Sequence, residues 1–431
     1  MTVNVIGAGL AGCEVAYCLA NNGINVKLYE QKPHKHSPAH TKEGFAELVC
    51  SNSLRSNELS NAVGLLKEEM RMLGSLIVEA AYETRVPAGG ALAVDRDGFS
   101  SYITEKIKEH KNIEIIEGEV TEINPLEYTI IASGPLTSEK LFESIKKYTG
   151  DNELYFYDAA APIVSYESID MSKAFKGARY GKGDADYINC PMTKEEYDAF
   201  YNELINAETA PIKKFENEVV FEGCMPVETM AKRGHDTLLF GPLKPVGLRA
   251  DYMDKDPYAV VQLRQDNKGG TMFNIVGFQT HLKFPEQKRV FSMIPGLENA
   301  EFLRYGVMHR NTYINSPKVL NNHYGLKSND KIYFAGQITG VEGYVESAAS
   351  GLLCGIYLSK LLKGENIYEF SNKTAIGALA NYISDASVEK FQPMNINFGI
   401  IEPLGYRVKG KREKNIEISK RAIEEIKKVI E

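Results

Sequence analysis

Residues 3–30 read VNVIGAGLAGCEVAYCLANNGINVKLYE, and their spacing decides the fold. Val3 to Ile6 is a short apolar run of the kind that forms a buried strand. Gly7-Ala8-Gly9-Leu10-Ala11-Gly12 follows, then the helical pattern CEVAYCLANNG, in which Gly23 suits a helix C-cap. Ile24 to Tyr29 reads as a second strand that ends on Glu30, 18 residues beyond Gly12. Each position has a physical task. Gly7 permits the tight turn, Gly9 admits backbone close to a pyrophosphate, and Gly12 lets helix and strand pack closely. The helix N-terminus at Leu10 and Ala11 offers amides to phosphate. Glu30 can accept from both ribose hydroxyls, and its charge disfavours a 2′-phosphate there. A glycine triplet alone says little. With both strands, the helix and the acid in place, it predicts a dinucleotide site.

Further along, NIEIIEGEVTEIN (112–124) alternates as strands do, and EYTIIASGPL (127–136) is a continuous apolar strand suited to the same parallel sheet. Residues 331–362, KIYFAGQITGVEGYVESAASGLLCGIYLSKLL, give another strand, a second Gly-rich turn and a long helix. Two such turns framing one sheet resemble the two-part, glutathione-reductase-type FAD fold, with adenosine on the first turn and the flavin near the second. Gly336, Gln337, Gly343 and Tyr344 are therefore candidates for the flavin end. Between about 140 and 325 the Gly-turn signature disappears, and Thr193 to Glu196 is a capping box that starts a helix. The expected fold class is α/β: a discontinuous FAD-binding Rossmann-like domain, 1–140 and 325–431, with an inserted α/β domain, 141–324, for substrate or RNA. The C-terminus, from Arg407, reads as a helix with a basic start.

The chain has 431 residues and a formal net charge of −7, which argues against indiscriminate nucleic-acid binding while allowing a local basic face. Candidate faces are Lys173, Lys176, Arg179 and Lys182, then Lys232 and Arg233, then Arg407 to Lys414; solvated surface is the alternative for each. No basic, apolar leader opens the sequence, and ASGLLCGIYLSKLL is too short to span a bilayer, so a cytoplasmic protein without a membrane partner is expected. No CxxC or zinc-like spacing occurs, and no metal site is expected.

Six cysteines stand at 13, 18, 50, 190, 224 and 354. Cys13, Cys18 and Cys354 sit among apolar helix residues and read as core; Cys190, before Pro191, reads as structural. Cys50 and Cys224 differ. Cys50 closes an apolar segment and precedes SNSLRSN, whose Ser and Asn are N-cap types. Cys224 follows Gly223, and Pro226 then suits the first turn of a helix. A helix N-terminus, with Arg55 or with Lys232 and Arg233 nearby, would lower a thiol pKa. On spacing alone each stays open between function and packing.

GAGLAGCEVAY, FAELVCSNSLRSN, ALAVDRDGFS, FEGCMPVETMAKRG, GPLKPVGL, MHRNTYINSP and FAGQITGVEGYVESAASGL, spread from the first strand to about residue 355, together resemble the folate- and FAD-dependent tRNA (uracil-5-)-methyltransferase family. Ordinary flavoproteins do not share the two cysteine motifs. The longer wobble-uridine-modifying flavoproteins share the FAD framework, but this chain is short for their extra C-terminal helical region. The resemblance implies FAD, 5,10-methylenetetrahydrofolate and NAD(P)H as cofactors, and RNA as partner: tRNA, at its T-loop uridine, with ribosomal RNA as the alternative. It implies Cys224 as nucleophile at uracil C6 and Cys50 as general base or proton relay, or the reverse order. C5 of uracil is a poor nucleophile until a thiolate adds to C6, after which the C5 proton must leave to a base. Tyr344 is a candidate to stack on the isoalloxazine or folate ring, and the resemblance favours His309, Arg310, Asn311 and Arg96 as substrate contacts for folate glutamate or RNA phosphate. The competing readings are a packing Tyr344, a surface turn at 309–311 and a local Asp95–Arg96 ion pair. At the level of the whole protein, the alternatives are a plain FAD/NAD(P)H oxidoreductase with a cysteine pair and an RNA-binding scaffold without turnover.

Overall fold

The computed structural model describes every residue except 151–152, 182–183, 211–224, 251–252, 390 and 431, and only the backbone at 153–159 and 308–310. Its first sheet has six strands in the order Gly325–Leu326, Asn329–Phe334, Thr129–Ile131, Thr2–Ile6, Asn25–Glu30, Ile113–Glu117. All pair in parallel except the edge strand Gly325–Leu326. The apolar runs Val3 to Ile6 and Ile130 to Phe334's partner Ile131 lie at its centre, as strands covered on both faces must. A strand from the far end of the chain thus joins one from the first third, which makes the sheet-bearing unit discontinuous.

Helix Leu10–Asn21 crosses helix Tyr344–Lys363 on this sheet. Their closeness requires small residues: a Cβ on Gly351 would lie 2.4 Å from the Ala11 carbonyl oxygen. Helix Tyr344–Lys363 is longer than the apolar stretch read from the sequence, and by length and composition it could cross a membrane. It is mostly buried instead, packed against helices Leu10–Asn21, Ala62–Met72 and Ala375–Tyr382.

The second sheet is antiparallel, ordered Phe175–Gly177, Tyr187–Met192, Ala259–Gln265, Met272–Ile275, Ile163–Ser165, Phe302–Arg304. It has its own core, built on Val164, Ile188, Val261, Phe200 and Phe291. Strands Glu153–Ala159 and Met308–Ile314 pair as a two-stranded ladder between the sheets in the sequence. Thr193 closes its capping box as read: its Oγ1 accepts from the Glu196 amide at 3.2 Å, and Glu196 accepts from the Thr193 amide at 2.8 Å. The C-terminal helix forms over Lys411–Ile430, burying Ile418, Ala422 and Ile426.

Two local expectations fail. Residues 119–124 do not continue as a strand: Gly118, at φ +143, turns the chain out of the sheet, and Glu119 pairs with Lys35 at 2.6 Å. SNSLRSN does not open a helix. Ser53–Ser56 pairs with Ala91–Val94, and the next helix starts only at Ala62. Arg55 sits at φ +61, which a helix cannot accommodate, and the buried Lys67 ammonium donates to the carbonyls on either side, Leu54 at 2.7 Å and Ser56 at 2.8 Å.

Candidate functional site

A cleft of about 440 Å³ runs along the carboxyl ends of the parallel strands. Gly7, Gly9, Leu10, Ala11 and Glu30 line one end; Gly336, Gln337, Gly343 and Tyr344 line the other. Gly7 has φ +101, and a Cβ there would lie 2.7 Å from the Ala132 carbonyl oxygen. A Cβ on Gly12 would lie 1.8 Å from the Gly7 carbonyl oxygen, so Gly12 packs beneath the turn and is not in the cleft wall. Gly9 is the opposite case: a Cβ there would meet nothing within 4 Å. Gly9 also caps helix Leu10–Asn21 without a side-chain hydrogen bond, leaving the first-turn amides to a ligand. The Glu30 carboxylate is fixed at the strand end by the Ala8 amide at 2.9 Å and the Lys32 amide at 3.0 Å.

At the far end, Gly343 at φ +104 caps helix Tyr344–Lys363, again with no side-chain cap. A Cβ on Gly336 would lie 2.9 Å from Ala11 Cβ, so the two turns touch. Two uncapped helix N-termini on one cleft, with an open glycine at one and an acid beside it, fit a dinucleotide such as FAD. Asn311, 4% exposed, lines the wall between them.

Cys50 lies in the same wall. Its backbone is held from several directions. The Tyr344 hydroxyl accepts from the Cys50 amide at 2.7 Å and the Ser51 amide at 3.3 Å. The Cys50 carbonyl accepts from Arg304 Nη2 at 3.2 Å and Arg96 Nη2 at 3.4 Å. Arg264 donates to Ser51 Oγ at 2.6 Å and Asn52 Oδ1 at 3.2 Å. The helix that reaches the Cys50 amide, through the hydroxyl of its first residue, is therefore Tyr344–Lys363, almost three hundred residues away, rather than one following it in sequence. Arg55, also in the wall, pairs with the buried Glu346 on that helix.

Arg96 does not pair with Asp95. It forms a two-pronged ion pair with Asp266, at 2.6 and 3.1 Å, and also donates to the Leu48 carbonyl. Asp95 instead caps helix Arg96–Glu109, accepting from the Gly98 amide at 2.7 Å. Burial disfavours the charge on all three arginines. At Arg96 the Asp266 carboxylate outweighs it and the pKa rises; at Arg264 and Arg304 it falls, with Arg96 beside them adding to the effect. Burial also pushes the Tyr344 phenol up, so this hydroxyl is neutral.

Burial sorts the other thiols. It pushes Cys18 and Cys190 up to about 12, and Cys13 and Cys354 higher still, which makes all four poor nucleophiles. Cys224 lies outside the described residues, as does Lys182. His309 and Arg310 are placed by backbone alone, opposite Asp158 and Tyr157 in the ladder. Of the basic runs, Lys173 pairs with Glu298 at 2.6 Å, Lys176 sits over the Tyr166 ring, and Arg179 holds the Lys244 and Val246 carbonyls. Asp266, Arg264 and Arg304 escaped the sequence reading. The available signal was an arginine and an aspartate closing the apolar strand AVVQLRQD, which a buried strand tolerates only with partners.

The family model described as glucose inhibited division protein A matches residues 2–366. The chain is 63% identical over 428 residues to the Acetivibrio thermocellus methylenetetrahydrofolate–tRNA-(uracil-5-)-methyltransferase TrmFO, covering 99% of this chain and 98% of that one. To the Bacillus subtilis protein of the same name it is 59% identical over 428 residues, with the same coverage. Among solved structures, Aquifex aeolicus GidA in its form II crystal superposes with a TM-score of 0.71 at 16% identity, over 99% of this chain and 73% of that one. That last likeness is one of fold.

Proposed function

The chain belongs to the folate-dependent TrmFO family within the glucose inhibited division protein A group, and from that premise we propose how its cleft works. The enzyme methylates uridine C5 in tRNA with 5,10-methylenetetrahydrofolate as carbon donor. FAD, reduced by NAD(P)H, supplies the two electrons that bring the one-carbon unit to a methyl group.

In our reading, the Gly9 end of helix Leu10–Asn21 takes the pyrophosphate and Glu30 the adenosine ribose, while Gly336, Gln337 and the Gly343 helix end take the flavin half. Cys224 adds through sulfur to uracil C6, so the ring gains electron density at C5. Once C5 has bonded to the incoming carbon, Cys50 accepts the C5 proton, and loss of the C6–S bond restores the ring. The observation that carries this reading is the position of Cys50: its loop forms the cleft wall onto which both uncapped helix ends open, anchored by Tyr344. Tyr344 thereby acts on the Cys50 loop through its hydroxyl, whatever its ring also covers. Arg96 serves that loop as well. His309, Arg310 and Asn311 are proposed substrate contacts, supported by Asn311 in the wall. The T-loop is the proposed target, and the cytoplasm the proposed location.

We also place the domain limits at the ladder of Glu153–Ala159 with Met308–Ile314. This is supported by Leu141, Phe142, Tyr313 and Leu320 packing into the first core, and Val164, Ile188, Val261, Phe291 and Phe302 into the second. On this proposal the limits lie inside residues 140 and 325.

The test is an adduct assay. tRNA carrying 5-fluorouridine cannot release its C5 substituent, so it should trap a covalent complex that Cys224→Ala abolishes and Cys50→Ala retains. The reverse pattern would exchange the two roles. Label from methylenetetrahydrofolate should appear in tRNA; label appearing in ribosomal RNA alone would refute the substrate.

A further inference from the structure

Three guanidiniums surround the Cys50 loop, from separate elements: Arg96 from helix Arg96–Glu109, Arg264 from strand Ala259–Gln265 and Arg304 from strand Phe302–Arg304. One fully buried carboxylate, Asp266, answers them, and it pairs with Arg96. Among the described residues, Arg264 and Arg304 have no carboxylate partner, and Arg304 Nε is buried without a hydrogen bond. The remaining charged groups near the loop are engaged elsewhere. Arg55 pairs with Glu346, Glu47 accepts from the Thr41 and Lys42 amides, Glu342 accepts from Gln337, Lys32 donates to the Gly44 carbonyl, and Tyr344 is neutral. In direct contact with residues 50–52, three guanidiniums therefore face the single carboxylate of Asp266 in a poorly hydrated place, where an unanswered cation is costly.

We propose that Arg304 is a positioning residue that, together with Arg96, holds the Cys50 sulfur as a thiolate. Both guanidiniums bind the carbonyl of the residue that carries the sulfur. Each also interacts electrostatically with Cys50, and a nearby opposite charge favours ionisation. Asp266 largely neutralises Arg96, so Arg304 supplies the unanswered charge. The thiolate is also the form that can accept a proton, which a thiol cannot. The proposal rests on the reading of Cys50 as the C5 proton acceptor, and it gives that role its protonation state.

The experiment is alkylation of the FAD-loaded enzyme by iodoacetamide across pH, with the residue-50 peptide followed by mass spectrometry. Wild type should label with a midpoint below the ordinary thiol value of about 8.5. Arg304→Met should raise the midpoint by about one unit, slowing labelling roughly tenfold at pH values below it. Arg304→Lys, which keeps a cation, should restore most of the shift. Flavin content reports whether each variant folds, and Arg304→Gln replaces Arg304→Met if that one does not. A wild-type midpoint at or above about 8.5, or an unshifted midpoint in both neutral variants, overturns the proposal. A low, Arg304-dependent midpoint in an enzyme that transfers no label from methylenetetrahydrofolate would support it while refuting the reaction assigned above.

Discussion

Gly9→Ala separates what the first turn does for the fold from what it does for the ligand. The backbone at Gly9 has φ −78 and ψ −170, which alanine adopts without strain, and the new Cβ meets nothing within 4 Å. Alanine is a poorer N-cap than glycine but also restricts the unfolded chain, so the two effects nearly offset and apo stability should move by less than about 1 kcal/mol. The methyl group does, however, occupy the space through which amides reach a pyrophosphate. Losing one or two charge-assisted hydrogen bonds costs about 3 kcal/mol, or roughly a hundredfold in FAD affinity. Gly12→Ala is the control: its Cβ would sit 1.8 Å from the Gly7 carbonyl oxygen, so the turn must shift and the apo protein should lose about 1–3 kcal/mol or more. The assay is thermal unfolding of flavin-stripped protein alongside FAD titration by flavin fluorescence. Gly9→Ala binding FAD within about threefold of wild type would refute the assignment of this turn to the pyrophosphate.

Tyr344→Phe removes the acceptor of the Cys50 and Ser51 amides, a loss of about 1–3 kcal/mol of local order. It should cut methyl transfer at least about tenfold with FAD retained; unchanged turnover would free Cys50 from this anchor. Asp266→Ala leaves Arg96 without its counter-charge at a side-chain exposure of 11%, and should cost about 3–5 kcal/mol by denaturant unfolding. A cost below about 1 kcal/mol would show that the pair is dispensable. Glu69 is fully buried under the amides of Ala375 and Ile376, each at 2.8 Å, and burial raises its pKa to about 8 against their opposing pull. The folded state therefore holds a proton there that the unfolded chain releases above about 4.3. Its contribution is present below that pH and is lost as pH rises through about 8, so stability should fall across the interval. Glu69→Gln should flatten that part of a stability–pH curve measured by urea unfolding, and an unchanged slope would contradict the assignment.

The parts of the fold that could be read in the sequence are local ones. The glycine triplet, its helix and Glu30 lie within thirty residues, so their geometry is written in consecutive spacing. The same holds for the Thr193 box. What was not legible is what distant residues do to one another. SNSLRSN has the composition of a helix start, yet strand pairing with Ala91–Val94 and the Lys67 ammonium overrule it. Arg96 has an acid as its neighbour in sequence, yet pairs with one 170 residues on, because Asp95 is already occupied as a helix cap. The environment of Cys50 draws on four remote segments, and no spacing rule brings Arg264, Asp266 and Arg304 to it.

That last feature limits what can be exchanged between relatives. The loop bearing Cys50 lines the cleft at the parallel sheet, yet Arg264, Asp266 and Arg304 that grip it come from the strands of the antiparallel sheet or their immediate ends. A chimera that grafts the insertion of one flavoprotein onto the scaffold of another would inherit a sulfur whose supports were cut for a different loop. Such hybrids should bind their nucleotide normally and still be inert, unless the donor's loop from Leu48 to Asn52 travels with the graft.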